Sequence, residues 1–272
     1  MKTNPDITFL RKGEYLAPNF NTHNYNGLLV GVTCYASPIE TGIWHSHEYP
    51  MISFVLYGNN QENRKGQSIE RTSGSINFYH TGELHQNIYN EFPSRHISLE
   101  IDPAFLKRYD YTEVQIEQAV SLSEHPVFTF TQLLKEANIN DNQSSNSVEM
   151  LFHSFIENSY ALNQKTIPEW METVRDILND RWAENISLDQ LSKKADVHPT
   201  TISKYFKKYF QCTLGEYTRK LKVNRSIEIL NSSNNSFSEV AYQCGFSDQS
   251  HFTRVFKSLT GFLPKEYVKL RS

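Results

Sequence analysis

The sequence has few cysteines, no long apolar run and no glycine-rich phosphate-binding loop. Its 272 residues include three scattered cysteines, Cys34, Cys212 and Cys244, whose spacing excludes a disulfide framework and a zinc ribbon. No stretch approaches the roughly 18 apolar residues that span a bilayer. The N-terminus lacks the basic start and apolar core of a signal peptide. No nucleophile–base pattern appears either, so we expect a cytoplasmic protein without membrane contact that is not an enzyme.

The charge is unevenly distributed, although the net charge of −3 is small. Residues 169–272 carry 16 Lys and Arg against 12 Asp and Glu, whereas residues 1–168 carry 11 against 18. The resulting net charges of +4 and −7 favour a polyanion-binding module attached to an acidic domain. Because +4 is a modest charge, this asymmetry by itself favours nucleic-acid binding only slightly.

The pattern of apolar residues divides the chain into two parts. Residues 28–101 contain short runs rich in Val, Ile, Phe and Tyr, separated by Gly, Asn and Pro, which predict a small all-β barrel or sandwich. Residues 148–162 have apolar residues at helical spacing, and everything after Pro168 reads as helix. We therefore predict an α+β multidomain protein, with a β-barrel and trailing helices in residues 1–165 and an all-α domain in residues 169–272, the first helix of which is capped by Thr166.

The C-terminal third contains two similar helix-turn-helix patterns. Ser187 and, 49 residues later, Ser236 are each followed at the third position by Gln or Glu, which is the spacing of a capping box. Pro199 marks the start of the second helix in the first copy, and Gly245 breaks the chain at the turn of the second copy. A long amphipathic helix separates the copies. Two helices joined by a short turn are typical of DNA-binding motifs whose second helix enters the major groove.

The outward side of each second helix carries hydroxyl, amide and cationic groups. Arg and Gln bind guanine and adenine in a bidentate manner, hydroxyls suit bases or phosphates, and flexible Lys side chains suit phosphates. A solvated polar face on an ordinary helical bundle is the alternative, which the repetition disfavours. We expect Arg254→Ala to cost about 1–3 kcal/mol of binding free energy. The predicted DNA-binding residues are Thr200, Thr201, Ser203, Lys204, Lys207, Lys208, Gln249, Ser250, Thr253, Arg254 and Lys257.

Two phrases carry a resemblance to a known family. The second copy reads EVAYQCGFSDQSHFTRVFKSLTGFLPKEY and the first reads LSKKADVHPTTISKYFKKYFQCTLGEY. Over about a hundred residues they resemble the DNA-binding domain of the AraC/XylS transcription regulators. The resemblance implies a double-stranded promoter as partner, RNA polymerase as a further partner if the protein activates, and two recognition helices reading adjacent major-groove segments. The first segment would be read by Thr200, Thr201 and Lys204, and the second by Gln249, Ser250, Thr253 and Arg254.

Three residues depart from the family pattern. Gln211 stands where Gly usually closes the first recognition helix, and it must tolerate the helix-end geometry that Gly relieves. Lys222 and Ser226 stand at the usual Arg and Ala positions of the helix between the two copies. None of these changes removes a DNA-facing group.

Four histidines lie in two segments of the predicted barrel. His45 and His47 are two residues apart and therefore share one face of a strand, and His80 and His85 follow in GSINFYHTGELH. The layout resembles the two cupin motifs, although His80 replaces the usual Pro and residue 51 or 52 is apolar where metal-binding cupins have a Glu ligand. His45, His47 and His85 form a candidate site for a divalent transition metal. Without the carboxylate, we do not expect catalysis.

The same segments also predict a pocket for a small organic effector. Aromatic rings near the histidines suit an organic molecule or a sugar, although strand alternation would bury several of them as ordinary core. The alternative role of the histidines is to line this pocket or to hydrogen-bond inside the barrel. The predicted pocket residues are Trp44, His45, His47, Tyr57, Tyr79, His80 and His85.

Together these features predict a transcription regulator controlled by a small-molecule effector, with a metal ion as the alternative effector. The apolar helix at residues 148–162 either packs on its own barrel or pairs with a second subunit, and the AraC/XylS resemblance implies a homodimer. Two other classes compete with this interpretation: a cupin metalloenzyme with a regulatory helical domain, and a helical adaptor without a DNA role.

Overall fold

The structure is a computed structural model that describes residues 7–37, 42–64, 66–163, 166–233 and 235–271. The chain divides into two compact units, one extending to Ile156 and including the segment from Lys269, and the other comprising Glu157–Val268. The boundary lies inside a helix, upstream of the predicted second domain. The domain bounds 1–165 and 169–272 therefore stay a prediction.

The first unit is rich in strands. Its described residues form β1 (Ile7–Leu10), β2 (Asn19–Tyr25), β3 (Leu28–Tyr35), β4 (Trp44–His47), β5 (Met51–Tyr57), β6 (Asn59–Arg64), β7 (Gln67–Thr72), β8 (Ile76–Tyr79), β9 (His85–Tyr89) and β10 (Ser94–Ile101). They build two five-stranded sheets, with the orders β1-β4-β9-β6-β7 and β2-β3-β10-β5-β8. Side chains from both sheets line one interior cavity, so the two sheets face each other.

Four helices follow β10: α1 (Pro103–Tyr109), α2 (Glu113–Leu122), α3 (Pro126–Ile139) and α4 (Ser144–Asn163). The ring centroid of Phe130 in α3 lies 5.2 Å from that of Phe54 in β5, which places α3 against the second sheet. In α4, Phe152 and Phe155 are buried and contact Phe105 and Phe130 respectively. The apolar face of α4 therefore packs on α1 and α3 of its own unit.

The C-terminal part is helical. Its helices are α5 (Glu169–Asp180), α6 (Leu188–Ala195), α7 (Pro199–Phe210), α8 (Leu214–Ser232), α9 (Phe237–Gln243), α10 (Gln249–Thr260) and α11 (Pro264–Lys269). The N-cap of α5 is Pro168, without a side-chain hydrogen bond, so the prediction that Thr166 caps this helix was wrong because the helix begins later. Every helix within the described ranges is too short or too polar to span a lipid bilayer. The predicted fold class is confirmed.

Candidate functional site

The first helix-turn-helix unit consists of α6 and α7. The Ser187 hydroxyl accepts from the Gln190 backbone N–H at 3.2 Å, and the Gln190 side chain accepts from the Ser187 N–H at 2.9 Å, which confirms the predicted capping box. Helix α6 ends at Asp196 in the left-handed conformation (φ 52). A tight turn follows, and α7 is capped by the ring of His198. Local hydrogen bonds thus define both ends of the turn.

The second unit, α9 and α10, repeats this construction. The Glu239 carboxylate accepts from the Ser236 N–H at 2.7 Å, and the Ser236 hydroxyl accepts from the Glu239 N–H at 3.3 Å, so the second predicted capping box is also confirmed. Gly245 has a φ of 67 in the turn. The Asp248 carboxylate accepts from the His251 N–H at 2.7 Å and caps α10. Its negative charge is favourable at a helix N-terminus.

Helices α7 and α10 each bury one face and expose the other. Ile202 and Phe206 in α7 and Phe252 and Phe256 in α10 are fully buried. None of the eleven predicted DNA-binding residues is buried: nine are exposed, and the other two are half-buried. The polar faces are therefore available to a ligand, and the assignment of individual residues to bases or phosphates stays a prediction.

Arg254 and Gln249 differ in the hydrogen bonds that their side chains make within the protein. The Arg254 guanidinium makes no hydrogen bond or ion pair with any residue that the structure describes, so its five donors are available for DNA. The Gln249 side-chain oxygen accepts a hydrogen bond from the Ser238 hydroxyl at 2.6 Å. This bond orients the Gln249 amide before any contact with a base.

The three departures from the family pattern have distinct surroundings. Gln211 ends α7 in the left-handed conformation (φ 57), as its position at the usual Gly predicts. Ser226 is fully buried in α8, and its hydroxyl donates to the Val223 carbonyl at 2.7 Å. Lys222 is 5% exposed and bonds to two connecting segments of the domain.

In the strand-rich N-terminal unit, β4 and β9 bring three histidines together. His45 and His47 lie on the same face of β4, and His85 in β9 is the register partner of His45. The ring centroids are 4.2 Å apart for His45 and His85, and 5.3 Å apart for His47 and His85. All three residues are buried, and one ring nitrogen of each lies within 4.8 Å of the others. The sequence thus predicted a cluster that the fold assembles.

The hydrogen bonds of these rings suit metal binding. The Nδ1 atoms of His45 and His85 lie 2.9 Å and 3.0 Å from the carbonyls of Ile43 and Glu83. Bonding of Nδ1–H to a carbonyl leaves the Nε2 lone pair for an ion. Both ring nitrogens of His47 and Nε2 of His85 are buried without a hydrogen-bond partner among the described residues. Burial lowers the pKa of His47 to about 3 and that of His85 to about 2, so these imidazoles stay neutral and the donor set fits a divalent transition metal.

A buried carboxylate that sequence reasoning missed lies in the same cavity. Glu62 in β6 is 1% exposed and pairs with Arg64 at 2.9 Å and Arg71 at 3.2 Å. It also accepts from the Tyr79 hydroxyl at 3.1 Å, and the Tyr79 ring stacks on His85 at 3.9 Å. The sequence of β6 (NNQENR) is polar throughout, so no alternation of apolar and polar residues marks Glu62 as buried. The ion pairs engage Glu62, so the histidines supply the donor atoms.

The cavity has a volume of about 40 Å³, which is room for about three water molecules. Leu10, Tyr15 and Leu16, which precede the first long strands, line it together with the histidines. Residues 10–16 form an N-terminal arm, which is anchored by an ion pair of 2.9 Å between the Lys12 ammonium and the Asp102 carboxylate. The arm thus forms part of the cavity wall.

Three predicted pocket residues do not line this cavity: Trp44, Tyr57 and His80. Trp44 precedes His45 on its strand, so its side chain lies on the opposite face. His80 follows Tyr79, and its ring bonds to Glu113 and Glu117 of α2 at 2.8 Å and 3.1 Å.

Tyr57 is displaced from the cavity by an irregularity in strand pairing. The register between β5 and β10 shifts between Arg95 and His96. His96 lines the cavity, so Arg95 and its partner Tyr57 lie on the other face of the sheet. The predicted pocket residues that do line the cavity are His45, His47, Tyr79 and His85.

The chain is similar to several known proteins. Residues 191–270 match the family model described as a helix-turn-helix domain. The HTH-type transcriptional activator RhaS of Escherichia coli O139:H28 is 22% identical over 248 residues, which cover 82% of this chain and 86% of that protein. ToxT from Vibrio cholerae is 16% identical in sequence, and the alignment covers 91% of this chain and 100% of ToxT with a TM-score of 0.38. The DNA-binding domain of AdpA in complex with a target DNA is 19% identical and covers 38% of this chain and 93% of that domain, with a TM-score of 0.36.

Two capped helix-turn-helix units within one helical domain define a DNA-binding protein of the helix-turn-helix class. The matched family model covers residues 191–270, and over 82% of its length the chain is similar to a transcriptional activator. The chain is thus similar to the AraC-type regulators, and we identify it as a DNA-binding transcription regulator.

Proposed function

We propose that this regulator reads a specific promoter site with α7 and α10, in response to a ligand bound between the sheets of its first unit. The observation that carries the DNA part is the pair of helices with buried apolar faces and exposed hydroxyl, amide and cationic faces. Thr200, Thr201 and Lys204 would contact one major-groove segment. The second would be read by Gln249, Ser250, Thr253 and Arg254.

The two kinds of cation have different roles in this proposal. Arg254 lies in the N-terminal half of α10, the half of a recognition helix that meets base edges. Its unpaired guanidinium suits O6 and N7 of a guanine. Lys257 is one turn further on and is exposed, so it suits a phosphate. Lys207 has the same position in α7 as Lys257 has in α10, and Lys208 follows it.

The experiment is DNA binding by the full chain against fragments of its own upstream region, at several salt concentrations. We expect Arg254→Ala to weaken specific binding by about 1–3 kcal/mol and to relax the preference at one base position. Lys257→Ala is the matched control, because loss of a phosphate contact weakens binding to all sequences and lowers the salt slope by about one. An unchanged footprint and affinity in the Arg254→Ala variant would contradict the proposed readout.

The cavity geometry favours a metal ion as the ligand of the first unit. His45, His47 and His85 would hold it through neutral imidazole nitrogens, and His47 and His85 have buried ring nitrogens without partners among the described residues. A bound divalent ion would cross-link β4 and β9, because its ligands come from both strands. A metal ion that binds only when β4 and β9 are paired shifts the population of protein molecules toward this paired arrangement.

An organic effector is the second candidate for the same cavity. Drug-sized ligands occupy pockets of about 300–1,000 Å³, and the cavity is about 40 Å³. A sugar or an aromatic acid would therefore require displacement of the arm that carries Leu10, Tyr15 and Leu16. Release of the Lys12–Asp102 ion pair would accompany this displacement.

Metal analysis of the purified full chain separates the two candidates. We expect about one equivalent of Zn²⁺ or Co²⁺ to bind and to raise the melting temperature, since an ion bound to the native state stabilises it by mass action. His85→Gln should abolish the effect. His96→Gln is the control, because His96 is another buried histidine of the cavity lining that lies outside the triad. Binding that survives His85→Gln, or no binding at all, would favour the organic effector.

A homodimer and contact with RNA polymerase are proposed from the AraC-type relationship. The buried face of α4 packs within its own unit, so the dimer would use another surface. Analytical ultracentrifugation with and without the promoter fragment tests the dimer. A second copy would raise the effective concentration of recognition helices at repeated half-sites.

A further inference from the structure

A buried lysine connects the two helix-turn-helix units. The Lys222 ammonium, in the middle of α8, donates to the Asn185 side-chain oxygen at 2.8 Å and to the Gly245 carbonyl at 2.7 Å. Asn185 lies in the segment that leads into α6, and Gly245 lies in the turn between α9 and α10. One cation thus bonds to a connecting segment of each unit.

The same two segments touch through their backbones. A Cβ atom on Gly245 would lie 1.8 Å from the Ala183 carbonyl oxygen, and the φ of Gly245 is +67. Only glycine fits such an approach and such a backbone conformation. Backbone atoms cannot move aside as the ends of side chains can. The turn between α9 and α10 therefore packs against residues 183–185 in a single position.

The environment of Lys222 is unusual for a residue that serves packing alone. The side chain is 5% exposed, and its ammonium has no ion pair with a carboxylate of any described residue. Burial lowers the pKa of this group below its usual value. A buried charge without a counter-charge is costly unless fixed dipoles solvate it, and an apolar residue would fill the same volume. The two bonds therefore have a directional role.

We propose that Lys222 is a positioning residue that sets the spacing and rotation between the two recognition helices. It would thereby set the number of base pairs between the two DNA segments that the protein accepts. The inference rests on the proposed reading of DNA by α7 and α10. One inserted base pair moves the second segment by about 3.4 Å and rotates it by about 35°, so two helices held rigidly accept one spacing, whereas loosely joined helices accept several.

The test uses the full chain and the promoter site located by footprinting. Two altered sites have one base pair inserted or deleted between the two contacted segments. We expect the wild-type protein to bind them about 10- to 100-fold more weakly than the native site, comparable to the loss of one or more base contacts. Lys222→Met keeps the aliphatic volume but removes the donors, and it should reduce this penalty to less than about fivefold.

Two further variants separate positioning from folding. Lys222→Arg keeps a cation with donors, and it should retain the wild-type spacing penalty. Asn185→Ala changes an exposed residue and removes one partner of the ammonium, so it should reduce the penalty even if Lys222→Met fails to fold. The penalty is a ratio between DNA sites, so a general loss of active protein cancels from it.

The outcomes are distinct. Equal spacing penalties in the wild type and in both disrupting variants would overturn the positioning role, because a residue needed only for stability lowers binding to all sites alike. A wild-type protein that binds all sequences equally would instead refute the proposed function, and with it the premise of this inference. A penalty reduced in Lys222→Met and Asn185→Ala but retained in Lys222→Arg supports the proposal.

Discussion

Replacing Gln211 by glycine should stabilise the DNA-binding domain. Gln211 ends α7 with a φ of 57, in the left-handed region where its Cβ crowds the backbone. The side chain contributes little in return, because its amide donates one long bond of 3.4 Å to the Lys208 carbonyl at the exposed surface. Gln211→Gly therefore removes strain and loses almost no contact.

The size of the effect follows from two opposing contributions. An L-residue in the left-handed region costs about 1–2 kcal/mol relative to glycine. The greater freedom of glycine in the unfolded chain offsets about 0.4–1 kcal/mol of this gain. We expect a net increase of about 0.5–1 kcal/mol in the free energy of unfolding. For a domain of this size that corresponds to a rise of about 2–6 °C in melting temperature.

Differential scanning calorimetry of the full chain measures this change. Gln211→Ala is the matched control: it removes the same amide but keeps the Cβ, so its melting temperature should stay at or slightly below that of the wild type. The reasoning is refuted if Gln211→Gly and Gln211→Ala behave alike, because the Cβ strain would then be absent.

Three more predictions concern single contacts. Ser236→Ala should lower the unfolding free energy by about 1 kcal/mol through loss of its cap, whereas a change below about 0.3 kcal/mol in chemical denaturation would deny the capping box its stabilising role. Gly245→Ala should unfold the C-terminal domain near room temperature, as seen by circular dichroism, since a Cβ there lies 1.8 Å from the Ala183 carbonyl oxygen; a native-like melting curve would contradict the close approach. Burial lowers the pKa of His96 to about 4 in the folded protein. In the unfolded chain the His96 pKa is about 6.5, so acidification protonates the unfolded state first. The free energy of unfolding should therefore decrease by about 2 kcal/mol from pH 7 to pH 5. His96→Gln should reduce that pH dependence by about one proton, and an unchanged slope in urea titrations would refute this assignment.

Polar strands limited how much of the first unit could be predicted from sequence. The apolar runs that became β3, β5, β8 and β10 were recognisable, whereas β2 (NFNTHNY) and β6 (NNQENR) lack the expected alternation of apolar and polar residues. In β6 the buried positions are polar: Asn60 and Glu62 are 3% and 1% exposed. The burial of Glu62 is stabilised by the two Arg side chains that pair with it, and the Asn60 amide donates to the Asn87 side-chain oxygen at 2.8 Å. Such partners are identifiable only after the strands have paired.

The sequence by itself determined the helix-turn-helix units and their resemblance to the AraC/XylS regulators. Caps such as Ser187 and Ser236, the turn at Gly245 and the helical apolar stripes act over four or five residues, so a local pattern predicts a local structure. Tertiary structure alone decided the meeting of His45 with His85, 40 residues apart, and the exclusion of Tyr57 from the cavity by a shift in register. It also decided that Lys222 bonds to residues 37 and 23 positions away. Such contacts depend on strand pairing and helix packing between distant segments, and no local spacing encodes them.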